Sequence, residues 1–247
     1  MEFLTKTYVI SFLAWTSVLT NAATVQVSNC DGYSAPTGCT KGVSCAFEAS
    51  WRVYEADPAP SDTPSFNKTL AAVFTITIRR ATEKAANFYT AIGFSDHQAM
   101  PDTDVVIGYA YNNNFLEVVD GYIEPGSLKA PTIDRQDIFN ANGSLVDDPY
   151  DKRKRVLTYN FIRRLDTGDS AKDISLAQCR YFFFVTAGGP VSGPRNFFKH
   201  DVTPDMSSEK ICLTKCFNQH PGGTAASYGA SWISLVLVLM ITVVMRA

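Results

Sequence analysis

Met100 and His200 are the residues whose chemistry stands out in this chain. Met100 closes the run Ala91-Ile92-Gly93-Phe94-Ser95-Asp96-His97-Gln98-Ala99-Met100, and His200 closes Asn196-Phe197-Phe198-Lys199-His200. A thioether and an imidazole together form an axial ligand pair for haem iron. The two lie one hundred residues apart, so spacing alone does not pair them. Taken singly, Met100 also suits the filling of a gap in an apolar core, and His200 suits a hydrogen-bonded loop histidine. His97, three residues before Met100, competes for the same role and would give a bis-histidine site with His200. His220 falls in a low-complexity stretch. Other chemistries find less support. No Gly-x-Ser-x-Gly motif is present and only three histidines are available as bases, which argues against a serine hydrolase. Asp102, Asp104 and Asp120 offer oxygens for calcium, but their spacing fits no defined calcium loop.

The elements that must position Met100 and His200 read as strands. Ala72-Val73-Phe74-Thr75-Ile76-Thr77-Ile78-Arg79 alternates with period two, as a half-buried strand does. Residues 87–94 and 105–111 are rich in aromatic and β-branched side chains, and 115–120 follows the turn-prone Asn112-Asn113-Asn114. Residues 156–164 alternate again, with Val156, Thr158, Asn160 and Ile162 on one side and Leu157, Tyr159, Phe161 and Arg163 on the other. Tyr181-Phe182-Phe183-Phe184-Val185-Thr186-Ala187 is a continuous apolar run suited to a sandwich core. Residues 24–69 are less regular, with one strand expected within 44–55 around Trp51 and a loop at Pro58-Ala59-Pro60-Ser61-Asp62-Thr63-Pro64. Helical periodicity is nearly absent. Many short strands bounded by Gly, Pro and Asn predict an all-β fold, an antiparallel β-sandwich. Met100 then falls in a loop between two strands, where Pro101 favours an extended Met100.

The ends and the cysteines set the compartment. Residues 1–22 read as a secretory signal, with Lys6 in the n-region, an apolar stretch from Tyr8 to Leu19 and cleavage after Ala22. Trp232 to Met245 is a second apolar run, about 21 Å long as a helix against a hydrocarbon core of about 30 Å. It follows the small and polar residues 221–230. That order is the pattern of a GPI attachment signal, with Gly223 the expected site and a short single-pass helix the alternative. The expected organisation is a signal peptide at 1–22, a Cys-containing N-terminal segment packed on the sandwich at 23–69, the main domain at 70–202, a Cys-containing C-terminal segment at 203–221, and the anchor signal at 222–247. A mature chain of about 200 residues suits one domain. The full chain holds 22 basic and 24 acidic residues, and loss of Lys6, Arg246 and Glu2 with the ends leaves a net charge of −3. Nothing in that balance points to nucleic acid. The cluster Lys152-Arg153-Lys154-Arg155 follows Asp147, Asp148 and Asp151 and reads as a self-neutralising turn. Cys30, Cys39, Cys45, Cys179, Cys212 and Cys216 form an even set in a secreted chain and predict three disulfides, at least one tying the N-terminal segment to the Cys212/Cys216 region. The Cys212-x-x-x-Cys216 spacing before His220 could also hold a metal, a reading that an oxidising compartment disfavours. Asn67-Lys68-Thr69 and Asn142-Gly143-Ser144 are glycosylation sequons expected in surface loops.

Gly93-Phe94-Ser95, a loop ending in Met100, the run 102–109, Val119-Asp120-Gly121-Tyr122 and residues 159–169 occur in that order. Their order and wording resemble the DOMON domain family over about residues 70–202. The resemblance implies an immunoglobulin-like sandwich. It also implies that Met100 and His200 are the axial ligands of haem b in an extracellular b-type cytochrome related to the cytochrome domain of cellobiose dehydrogenase. Phe197 and Phe198 would wall the cofactor pocket. Arg163 or Arg164 could pair with a haem propionate, although a structural ion pair with Asp169 or Asp173 is the plainer role for such an arginine. With both axial positions filled, one-electron transfer is the implied activity. The redox partner would be a separate protein or a small reductant, since no dehydrogenase or multi-helix membrane module is visible in the sequence. The alternative is a haem-free module at the cell surface that binds a sugar or another small ligand, or serves adhesion.

Overall fold

A computed structural model describes residues 24–25, 30–56, 69–81, 87–112, 115–126, 131–133, 136–169, 171–200 and 202–217. The signal at 1–22, Asn67, the proline-rich loop, His220 and the tail with Gly223 lie outside the described residues. In chain order the strands are β1 (Thr24–Val25), β2 (Tyr33–Ala35), β3 (Phe47–Ala56), β4 (Thr69–Ala81), β5 (Phe88–Ser95), β6 (Thr103–Tyr111) and β7 (Phe115–Ile123). They continue as β8 (Thr132–Ile133), β9 (Ile138–Asp147), β10 (Lys154–Arg164), β11 (Tyr181–Phe184), β12 (Gly189–Gly193), β13 (Asn196–Phe197) and β14 (Asp205–Ser207), before one helical turn at Leu213–Cys216. Two sheets form. One runs β1-β14-β11-β5-β6-β7-β8, with the hairpin β12–β13 joined to β5; the other runs β2-β3-β4-β10-β9. Among the described residues every strand pairing is antiparallel except β1 with β14. This is the expected all-β sandwich.

Period-two alternation decides which side chains meet between the sheets. Phe74, Ile76 and Ile78 of β4 and Leu157, Tyr159, Phe161 and Arg163 of β10 point inward, while Thr75, Thr77, Thr158 and Asn160 form polar pairs on the outer face. The interior is aromatic. Phe74 stacks on Phe161 at 4.8 Å, Trp51 meets Phe182 at 5.1 Å, and Phe94 meets Phe182 edge-on at 4.9 Å. Each fully buried Phe contributes about 1.5–3 kcal/mol of apolar burial. Gly108 on β6 has no room for a side chain, because a Cβ there would stand 2.2 Å from the Tyr159 ring.

Three disulfides close the ends of the fold: Cys30–Cys216, Cys39–Cys45 and Cys179–Cys212. The first is the expected tie between the two ends, 186 residues apart in sequence. The basic cluster is neutralised locally, Arg153 and Lys154 by Asp151 and Arg155 by Asp147. Two features differ from expectation. The N-terminal segment does more than pack on the sandwich, since β3 pairs with β4 along ten residues as an integral strand of the five-stranded sheet. Asn142 lies on β9 and not in a loop. It is exposed as expected of a sequon, opposite Asn160 on the edge strand of that sheet.

Candidate functional site

Strands β5 and β6 do not alternate between buried and exposed positions; both of their faces are covered. One face meets the sandwich interior. The other carries a second buried apolar layer made of Tyr89 and Ala91 from β5, Val105, Ile107 and Tyr109 from β6, Val119 and Ile123 from β7, with Val185, Val191 and Phe197 laid over them. Phe197 stands edge-on to Tyr89 at 5.4 Å and to Tyr109 at 5.1 Å. Edge-on contacts suit the ring quadrupoles. The tyrosine hydroxyls leave the apolar layer through polar partners. Tyr89 donates to the Phe198 carbonyl at 2.9 Å. Tyr109 donates to the Glu117 carboxylate and accepts the Arg195 amide N–H at 3.2 Å. Burial, with Glu117 beside it, pushes the Tyr109 hydroxyl well above its ordinary value, so it stays a donor. The Arg195 guanidinium bonds to Glu117 and holds that carboxyl below the usual range. Gly189 is required beside this layer, because a Cβ there would stand 2.3 Å from the Tyr89 ring.

Met100 packs, partly buried, against this same layer. It is presented by the β5–β6 loop, whose two ends are tied by buried hydroxyls. Ser95 Oγ accepts the His97 N–H at 3.1 Å and donates to the Asp102 carbonyl at 3.2 Å, while Thr103 Oγ1 donates to the Ala99 carbonyl at 3.4 Å. Asp102 takes a left-handed backbone conformation, φ 63°. Its N–H donates to the Ile123 carbonyl at 2.9 Å, and its carboxylate accepts the Tyr122 hydroxyl. Gly93 of the Gly-Phe-Ser segment faces Thr103, whose Cγ2 would be 2.9 Å from a Cβ. A side chain at Gly93 would crowd Thr103, the first residue of β6.

His200 is half-buried, with Nδ1 shielded from solvent, and follows Phe197 by three residues. The structure therefore brings Met100 against the layer that holds Phe197, and His200 follows Phe197 by three residues in the chain. Phe198 is 53% exposed and touches the site through its carbonyl. His97 is exposed on the Met100 loop. Arg163 and Arg164 are elsewhere, on β10 of the opposite sheet. Arg164 lies over the Phe139 ring at 5.8 Å. Arg163 is fully buried in the interior, paired with Asp104 and, at 3.6 Å, with Asp173, and bonded to the Ile174 carbonyl. It holds the structural ion pair with Asp173 that was its plainer reading, with Asp104 as a second partner.

That interior cluster is a finding of its own. Carboxylate oxygens of Asp104, Asp120 and Asp173 lie within 4.8 Å of one another around the Arg163 guanidinium. Burial pushes Asp104 up to about 6 against the pull of Arg163. Burial, with Asp104 beside it, pushes Asp120 up to about 8. Burial would lower the Arg163 guanidinium, yet the three carboxylates outweigh it and hold Arg163 protonated. The sequence offers Asp102, Asp104 and Asp120 as oxygens for calcium, at a spacing that fits no defined calcium loop. Asp102 belongs instead to the Met100 loop, and Asp173, from an irregular segment, completes the cluster. The signal for it was present: a charged residue at an inward position of an alternating strand needs an opposite charge nearby.

The fold and this layer define a β-sandwich module stapled by disulfides, with a covered apolar layer on the outer face of one sheet. Residues 68–189 match the model of the DOMON domain, and the chain belongs to that family through this region. No curated protein and no solved structure matches the chain. Met100 lies inside the matched residues; Phe197 and His200 lie just after them.

Proposed function

We propose that this protein binds haem b through Met100 and His200 and carries single electrons outside the cell. The observation that carries the reading is that Met100 packs against the buried apolar layer that holds Phe197, on the outer face of the β5–β6–β7 sheet, with His200 three residues beyond Phe197 in the chain. The donors suit the group, a soft sulfur and an imidazole beside aromatic walls. The rings of the layer touch one another, so loading requires Phe197, on a two-residue strand, to yield. When bound, haem supplies a one-electron iron couple, and a thioether ligand raises its potential. Met100 and His200 would hold the iron, while Tyr89 and Tyr109 keep their hydroxyls turned to protein partners and leave the wall apolar. With both positions taken, electron transfer is favoured over oxygen chemistry. The electron donor or acceptor is a separate protein or a small reductant. The apolar tail after Gly223 anchors the protein to the outer membrane face, which release by a phosphatidylinositol-specific phospholipase tests.

The test is to produce the protein in a secretory host supplied with haem and to record visible spectra of the oxidised and reduced protein. A Soret band with sharp reduced bands, altered by Met100→Ala and by His200→Ala, is the expected result. A folded, colourless protein refutes the haem reading and favours the haem-free ligand-binding or adhesion module.

A further inference from the structure

The Met100 loop holds two side chains that can ligate iron, and something must choose between them. Met100 packs against the apolar layer, whereas His97, three residues earlier, is exposed. Relaxation of the loop would bring the imidazole into competition. Ser95 and Thr103 tie the loop to its own strand ends, and the Asp102 N–H ties it to Ile123 on β7. The Asp102 side chain is held separately, by the hydroxyl of Tyr122 from β7. Tyr122 is itself buried, and the Lys172 ammonium lies 6.0 Å from its ring. The bond fixes a residue in left-handed backbone, φ 63°, a conformation that L side chains adopt sparingly. Asp102 is two residues from Met100, so its conformation constrains the course of the loop next to the thioether.

Resting on the haem reading above, we propose that Tyr122 is a positioning residue that selects Met100 over His97 as the axial ligand by locking Asp102 in its left-handed conformation. The hydroxyl-to-carboxylate bond is charge-assisted, and its loss shifts the local opening equilibrium of the loop by about tenfold or more.

The experiment compares the haem-loaded full chain with Tyr122→Phe and with Tyr122→Phe/His97→Ala. Tyr122→Phe keeps the ring and removes only the hydroxyl. The expected result is a fall in reduction potential and a change from a thioether–imidazole to a bis-imidazole spectrum, with the bis-imidazole spectrum lost again when His97 is also replaced. An unchanged potential and spectrum in Tyr122→Phe overturns the proposal. Hydrogen exchange on the haem-free proteins separates the two readings. The His97 and Asp102 amides are expected to exchange about tenfold faster in Tyr122→Phe while the amides within β5 and β6 keep their rates. If the parent protein takes up no haem but the loop still loosens, the haem reading and the ligand choice fail and the lock stands. Equal exchange in both proteins removes the lock.

Discussion

Replacing Arg163 by Met tests the buried acid cluster most directly. Arg163 is a cation held against Asp104 and Asp173, with side-chain exposures of 1%, 0% and 8% for the three residues, and Asp120 adds a third carboxylate. Methionine fills much of the same space but brings no charge and no donor. Removing one partner of a buried ion pair costs about 3–5 kcal/mol, because the other partner stays buried without compensation. Loss of the cation contact with Phe94, whose ring centroid is 5.3 Å from the guanidinium carbon, adds to this. For a domain of this size each kcal/mol lowers Tm by about 2–4 °C, so a fall of roughly 10 °C at pH 8 is expected. The cost depends on pH with a definite sign. Asp104 and Asp120 are raised to about 6 and about 8, above their unfolded values. The folded protein therefore binds more protons than the unfolded one, and the parent is steadier at pH 5 and loses stability as pH rises through 6 to 8. In Arg163→Met the carboxyls are pushed higher still, so protonation at pH 5 removes most of the penalty. Urea and thermal unfolding of parent and variant at pH 5 and pH 8 read the difference. A loss equal at both pH values, or below about 1 kcal/mol at pH 8, refutes the reasoning.

Two further outcomes follow from packing. Gly108→Ala places a methyl 2.2 Å from the Tyr159 ring, which is 1% exposed; a destabilisation of about 1–3 kcal/mol is expected in denaturant titration, recovered in part by adding Tyr159→Leu, and a neutral Gly108→Ala would show that the ring shifts freely. Removing the Cys30–Cys216 bridge with Cys30→Ala/Cys216→Ala frees a loop of 186 residues in the unfolded chain. A loss of roughly 3–5 kcal/mol is expected in urea unfolding without reductant, and a loss under about 1 kcal/mol would mean that the end strands hold by packing alone.

Alternation made β4 and β10 legible in sequence, because their outer faces meet water and their inner faces do not. It failed at β9 for a physical reason. That strand is an edge and is exposed on both faces, so Asn140, Asn142, Gly143 and Ser144 carry no apolar stripe and read as turn residues. The left-handed Asn140, φ 48°, and the register shift beside it add to the irregularity. In the candidate site, Met100, Phe197 and His200 stood out by residue type, and only the fold shows Met100 packed against the layer that holds Phe197. Tyr122 carried no local signal, since its role depends on a pairing with Asp102 across 20 residues; Asp173 was legible as a partner for Arg163, but its meeting with Asp104 and Asp120 was not.

The strands that broke alternation point to the site. An antiparallel sheet in a two-layer sandwich commonly has one wet face and shows it as alternating polarity. Residues 88–95 and 103–110 show none, and every one of those positions is buried. Such strands need a third layer, here built from the β12–β13 hairpin, Val185 and the Met100 loop. A two-residue strand and a seven-residue loop make an economical cover only where the cover has something to do, because loops hold fewer contacts than the sheet beneath and open at lower cost. The Met100 loop and the hairpin that leads into His200 are both parts of that cover. The candidate ligands therefore belong to the cover of the sheet, while the sheet below, fixed by the interior aromatics and the Arg163 cluster, holds their register.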